Sequence, residues 1–471
     1  VSARTGLRTC LAALALLVAA PAGAGTASLP FVSDDYGAAL AEARARGVPL
    51  VVDAWAPWCP SCRFMRTSVF TDARLAKLAG RFVWLEVDTE KPVNYPFVAR
   101  YAIEAWPTLY VIEPAAERVL LRWMGTATAV ELERMLGDAE RGLRKERQDA
   151  AGAALARGFA LAADRSHADA ARAFSDALAA GGPAWPERLR TVDAMIQALA
   201  AAHDEQACAG AAAEILPGLE HGAAFARVAA AGLGCAIGLE VEASRIPAIR
   251  AVEPSARVAL GLPGVLSDDR IGLYEQLVAA RQALGDEPGA KRVAREWLAF
   301  VEDESRRSRT PMARSALDGA RLAAAQALGE PRRALPALRA SALALPGEYF
   351  AQSYHAVCAL EAGEPKEALE AARRAVKLAE GPRKVRLMVI EAQALQALGD
   401  GEAARATVAA AITHGEALPE EVRPDGWLKR ARQLGESWRP PEPKPEPEAV
   451  PAAPVEPAPA PAPAAPPRPA P

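Results

Sequence analysis

Cys59 and Cys62 stand three residues apart, directly after an apolar run, Val48 to Trp55, that reads as a buried strand. Two cysteines at that spacing in the first turn of a helix bring their sulfurs within disulfide reach. The first then sits at the helix N-terminus, where unpaired backbone N–H groups and the helix dipole favour a thiolate. Pro60 suits the first helical position, where its missing N–H is not needed. Cys59 is therefore expected at the cap, the more exposed and better stabilised place, with Cys62 one turn in and shielded. The thiolate is the attacking species in disulfide exchange. A free cysteine, with a pKa of about 8.5, is only ~3% ionised at pH 7, whereas a pKa of about 6.5 makes it roughly 75% ionised. The expected chemistry has two steps: Cys59 attacks a substrate disulfide, then Cys62 attacks Cys59 and releases the reduced substrate. In reverse, the same steps oxidise a dithiol.

Two other chemistries use this spacing. A zinc site needs two to four further ligands, and the chain has no second CxxC. Its five histidines, His167, His203, His221, His355 and His414, all lie far downstream. Covalent haem attachment needs His directly after the second Cys, where Arg63 stands. No metal and no cofactor are expected beyond a redox-active Cys59–Cys62 disulfide. Cys208 and Cys235 lie in Ala-rich helical patterns, and either a bridge or two buried free thiols fits them. Cys358 reads as a buried helix residue.

The elements that must position this pair come from a chain of 471 residues, long enough for two or three domains. A net charge of -3 gives no electrostatic case for nucleic acid. Residues 1–27 read as a cleaved export signal: Arg4 and Arg8, an apolar core from Leu11 to Ala20, then Pro21 and Ala22-Gly23-Ala24. A periplasmic or secreted protein is expected. In such an oxidising compartment a lone CxxC reads as a working redox pair. Over residues 31–140, strand-like runs (Pro49 to Trp55, Arg81 to Val87, Thr108 to Ile112, Val119 to Trp123) alternate with helical ones (Asp34 to Arg46, Cys59 to Leu78, Ala129 to Leu136). That alternation predicts an α/β domain, a sheet covered by helices.

From 141 to 438, Ala-rich helical patterning takes over and repeats. Gly363 is followed by Ala368, Ala372 and Ala375; Gly329 by Ala334, Leu338 and Ser341; Gly399 by Ala404, Val408 and Ala411. Upstream, Ala170, Phe174 and Ala177 keep the same offsets. Small residues let paired helices approach, and each Gly marks a turn. Residues 205–270 fit the period poorly. This all-α region resembles the tetratricopeptide repeat, although Gln352 and Ala359 replace aromatics common in the first helix of that family. Residues 439–471 alternate Pro with Ala and Glu and predict a disordered tail of polyproline II character.

Residues 48–136 resemble a thioredoxin domain. Val51 to Cys59 matches that family's strand-to-active-site segment, Val83 to Asp88 its central strand, Trp106-Pro107-Thr108 its cis-proline loop, and Gly125 the glycine near its last strand. Phe70-Thr71-Asp72 leans toward the periplasmic thiol:disulfide interchange branch. The resemblance implies a central mixed sheet flanked by helices. It also implies that Asp53 is a buried carboxylate of raised pKa that takes the proton from Cys62. Pro107 is implied to be cis and to face the sulfurs, leaving the Trp106 main chain free to pair with an extended substrate. Trp58 is expected beside the attacking sulfur, where it contacts either substrate or its own neighbours, and Trp55 in the core. Two departures stand out: Pro60-Ser61 replaces Gly-Pro, and Trp84 replaces a lysine near Asp53.

The function read from these residues is an exported thiol-disulfide oxidoreductase acting on protein thiols and disulfides, with a redox partner protein and the reductase direction favoured by resemblance. Its helical repeats would recruit partner proteins. The alternative is a repeat-based scaffold whose thioredoxin domain serves as a binding module.

Overall fold

The computed structural model describes residues 29–101, 103–144 and 149–439. The export-signal reading and nearly all of the tail reading lie outside these residues. Five strands form one mixed sheet in the order β1-β3-β2-β4-β5: β1 (Phe31–Ser33), β2 (Leu50–Trp55), β3 (Val83–Asp88), β4 (Thr108–Glu113) and β5 (Arg118–Met124). The first three run parallel, while β4 is antiparallel to β2, and β5 to β4. Five helices accompany them: α1 (Tyr36–Arg46), α2 (Pro60–Phe64), α3 (Ala73–Ala76), α4 (Tyr95–Arg100) and α5 (Ala129–Leu143).

Strand alternation sorts β2 between two layers. Leu50, Val52 and Ala54 pack with Ala39, Leu40 and Ala43 of α1 and Phe97 of α4. Val51 faces the other way, toward Met65 and α5 residues Leu132, Met135 and Leu136. Asp53 shares that second face. A capping box between Thr128 and Glu131 starts α5.

The expected helix from Cys59 to Leu78 is broken. After α2 a wider turn spans Met65–Val69, and Phe70 N–H donates to the Met65 carbonyl. Asp72 then caps α3 by accepting from Arg74 N–H at 2.8 Å. The strand expected from Arg81 begins at Val83, and α5 runs on to Leu143. β1 and α4 were not expected at all.

From Ala150–Ala163 to Asp425–Ser437 the described chain is helical, with helices packed as antiparallel neighbours. Gly329, Gly363 and Gly399 turn the chain between helices at φ of 75°, 77° and 86°, conformations that favour glycine. Ala368, Ala372, Ala375, Ala404, Val408 and Ala411 are buried, as are Ala170, Phe174 and Ala177. Gln352, at a position given to aromatics in the repeat family, is also buried. It donates to the Ala342 carbonyl and accepts from Arg374. In the stretch of poor period, Cys208 and Cys235 form a disulfide, which decides between the two readings of that pair. Gly232 there lies directly on Ala212, where a larger residue would clash.

The two regions share one apolar core, which runs from Trp84, Trp123 and Leu132 to Phe159, Phe174 and on to Leu328. Polar links reinforce it. Thr126 Oγ1 donates to Asp269 at 2.8 Å, and the buried Arg227 joins Asp193 at 2.6 Å and Glu131.

Candidate redox site

β2 delivers the chain to the N-terminus of α2, and Cys59 is the cap residue with extended φ and ψ of -74° and 114°. Its Sγ accepts the Cys62 N–H at 3.0 Å. That contact makes the first-turn argument concrete: a donor already points at the sulfur that would carry charge after reduction. Cys59 and Cys62 are joined as a disulfide, with Cα atoms 5.3 Å apart. Cys62 is fully buried, as expected, but Cys59 is only 2% exposed. Cys59 is thus only barely the more exposed of the pair: Trp55, Trp58 and Trp106 pack against it and Cys62, and Arg383 of the helical region stacks on Trp58 in turn.

The Trp106–Pro107 bond is cis. Pro107 accepts the Gly125 N–H at 2.8 Å, with Gly125 at φ 84°. The Trp106 main-chain N–H and carbonyl have no partner among the described residues. Trp58 and Trp106 pack edge to face, with centroids 5.1 Å apart, against Cys59, Cys62 and Ala56. The indole N–H of Trp106 donates to Thr89 Oγ1 at 2.9 Å. Trp55 is only half-buried, not a core residue, and Arg66 stacks over its ring at 4.1 Å.

Asp53 is 1% exposed, and neither of its carboxylate oxygens has a hydrogen-bond partner among the described residues. Burial pushes its pKa up to about 7, opposed by the Arg66 charge and assisted by Glu86. Trp84 itself packs among Phe31 and Phe82 and donates to the Ala79 carbonyl, so the charges that act on Asp53 are Arg66 and Glu86.

Several residues at the site were not picked from sequence. Glu90 follows β3 and is buried, and its carboxyl rises to about 7 through desolvation. It accepts from Trp58 Nε1 at 2.8 Å and from the Tyr349 hydroxyl at 2.6 Å, and Arg383 lies 3.3 Å away. The Arg383 guanidinium also stacks 3.6 Å above the Trp58 ring. Arg63, next to Cys62, is 3% exposed, and burial lowers its pKa. It donates to the Pro57 carbonyl and, across 252 residues, to the Ser315 carbonyl at 3.0 Å, with its guanidinium 4.0 Å over Phe350. Asp268 of the helical region lies near Ser61, between the cysteines, and burial raises its pKa against the pull of Ser61 and Arg63. Neither Glu90 nor Arg63 carries a spacing signal, because the helical-region partners Tyr349, Arg383 and Ser315 lie more than 200 residues away. Among the described residues no cluster of His, Cys, Asp and Glu could hold a metal ion.

A disulfide at a helix cap, beside a cis-proline loop, follows a strand that carries a buried carboxylate, in a sheet where four strands run one way and β4 runs against them. Residues 36–140 match the family model of the thioredoxin-like domain. Residues 36–140 form a thioredoxin-like domain. Over 80 residues the chain is 36% identical to thiol:disulfide interchange protein DsbD 2 of Pseudomonas aeruginosa, covering 17% of this chain and 14% of that protein. Over 78 residues it is 30% identical to DsbD of Pseudoalteromonas atlantica, covering 16% and 13%. The chain therefore spans about a seventh of the length of these relatives. A thioredoxin H-type from Oryza sativa subsp. indica is 33% identical over 84 residues, covering 18% of this chain and 65% of that protein. Among solved structures, a tetratricopeptide repeat protein from Parabacteroides merdae is similar at a TM-score of 0.38 and 10% identity. The match covers 60% of this chain and 99% of that one, a likeness too loose to assign the helical fold. The domain match and the joined cysteines support thiol-disulfide oxidoreductase chemistry in general.

Proposed function

We propose that this protein is an exported thiol-disulfide oxidoreductase that reduces protein disulfides through Cys59 and Cys62. The observation that carries the reading is the disulfide at the N-terminus of α2, with the Cys62 N–H on Cys59 Sγ and the cis Pro107 loop beside it. In the reduced enzyme, Cys59 thiolate attacks one sulfur of a substrate disulfide. A mixed disulfide forms, and the other substrate sulfur leaves as a thiolate. Cys62 gives its proton to Asp53, whose pKa of about 7 suits an acceptor near neutral pH. Cys62 then attacks Cys59 Sγ, the enzyme disulfide closes, and the second substrate sulfur leaves. Two electrons have passed to the substrate, and a dithiol donor protein returns two to the enzyme. Pro107 and Trp106 hold the incoming chain by main-chain pairing.

Export is part of this proposal. It is supported by the signal-like residues 1–27 and by the second disulfide, Cys208–Cys235, which suits an oxidising compartment. Reduction over oxidation is the direction that the resemblance of the sequence motifs favours. The helical region, on this reading, both recruits partners and covers the sulfurs. Side chains such as Arg383 must therefore shift before a substrate reaches Cys59. That burial is the one observation favouring a scaffold with a passive thioredoxin-like module.

The test is insulin-disulfide reduction by the full chain, with dithiothreitol as donor. The proposal expects turnover, its loss in Cys59→Ser, and an accumulating mixed disulfide in Cys62→Ser. Absence of turnover together with full biological activity of the double Ser variant would establish the scaffold.

A further inference from the structure

Beside the redox pair the two regions enclose a cavity of about 330 Å3. Trp58, Thr89 and Trp106 wall it from the thioredoxin-like side, and Arg383, Arg423 and Trp427 from the helical side. Larger cavities, about 520 Å3 each, lie beside α5, and neither touches Cys59, Trp58 or Trp106. The smaller one matters because its aromatic wall is the wall of the disulfide: the same two indoles pack on Cys59 and Cys62.

Its charge is one-sided. Glu90 is the carboxylate in the lining, and Trp58, Tyr349 and Arg383 already engage it. Arg423 is exposed, and among the described residues its side chain bonds only the Leu418 carbonyl and has no ion pair. Outside that lining, Arg386 stacks 5.5 Å from Trp427, and its Nε has no hydrogen-bond partner among the described residues. An anionic group entering the cavity would meet the Arg423 guanidinium, which no carboxylate among the described residues has satisfied. The Trp106 main chain, whose N–H and carbonyl have no partner among the described residues, offers an extended peptide a place to pair along the same wall.

We infer that this cavity takes an extended polypeptide segment whose redox cysteine is flanked by acidic residues, with Arg423 as a specificity-determining residue supplied by the helical region. The inference deepens the exchange reading and rests on it. A segment paired to Trp106 places its cysteine at Cys59 and its neighbouring side chains between Trp427 and Arg423. The helical region thereby selects substrates instead of only covering the sulfurs.

The test uses the full chain, with dithiothreitol as donor, and peptide dimers joined by one disulfide, flanked on both sides by either Glu or Lys. Turnover of hydroxyethyl disulfide by the wild type is measured first; without it the exchange reading itself fails. Given that turnover, kcat/KM is expected to favour the Glu-flanked dimer by about fivefold, mostly through KM, as suits a partly exposed charge contact. Arg423→Gln should level the two dimers, and Arg423→Glu should invert the order. Equal rates for both dimers in the wild type would overturn the inference while leaving the exchange reading standing. So would a preference unchanged in Arg423→Glu. Deletion of residues 440–471 supplies the remaining arm. An equal rise in kcat/KM for both dimers would assign the cavity to the chain's own acidic, proline-rich end and overturn the inference as well.

Discussion

Replacing Asp53 by Asn tests the electrostatics of the buried carboxylate on β2. The side chain is almost completely buried, its oxygens lack hydrogen bonds among the described residues, and burial pushes its pKa up to about 7 from an ordinary value of 3.8. Between those two pH values the folded protein holds a proton that the unfolded chain has released. The stability tied to that proton is full below about pH 4 and is lost as pH rises through about 7. At roughly 1.4 kcal/mol per tenfold, the loss approaches about 4 kcal/mol above pH 8. Asn keeps the shape and removes the titration. Asp53→Asn should therefore be close to wild type in stability at pH 4 and more stable by up to about 4 kcal/mol at pH 8. Urea unfolding of the oxidised full chain, followed by far-UV circular dichroism at pH 4, 6 and 8, reads the difference directly. A stability difference that stays constant with pH would refute the reasoning, because it would mean that Asp53 titrates at its ordinary value in the fold.

The same variant should slow insulin turnover at pH 7 by roughly tenfold or more, since Cys62 loses its proton acceptor. Tyr349→Phe removes a hydrogen bond to the buried Glu90 carboxyl and should loosen the cover over the sulfurs. The reduction of Cys59–Cys62 by a small phosphine should then accelerate, and an unchanged rate would place the barrier elsewhere. Gly381 adopts φ 61°, and a Cβ there would lie 2.6 Å from the Glu90 carbonyl oxygen. Gly381→Ala should cost about 1 kcal/mol or more, seen as a lower thermal midpoint, and should expose the disulfide to the same phosphine. Replacing Cys208 and Cys235 by Ser opens a bridge between residues 27 apart and should cost about 3 kcal/mol in urea unfolding while leaving the Cys59–Cys62 chemistry intact.

What the sequence made legible was local. The helix start at Cys59-Pro60, the alternation in β2 and the order of Trp106-Pro107 behind the cysteines each follow from neighbouring residues. So did the glycine turns at Gly329, Gly363 and Gly399, where period and conformation agree. The cover over Trp58, beside Cys59, was not legible, because it draws on Tyr349, Phe350 and Arg383, more than 280 residues away. Trp55 reads as core from its apolar strand, yet Arg66 stacks on its half-buried face. The long helix expected from Cys59 to Leu78 ignored Asp72, whose side chain offers the backbone a cap and restarts the helix. Glu90 gave no signal, since a lone acid after a strand ordinarily faces water.

The account stands on the charge state of one sulfur. Absorbance near 240 nm of the reduced protein, titrated with pH and corrected with Cys59→Ser, measures the thiolate without requiring any reagent to reach it. A midpoint well below the free-cysteine value of about 8.5 is predicted, because the Cys62 N–H and the start of α2 point at that sulfur. A midpoint at 8.5 or above would contradict it: burial would then outweigh the helix terminus, and Cys59 would not be a nucleophile at neutral pH.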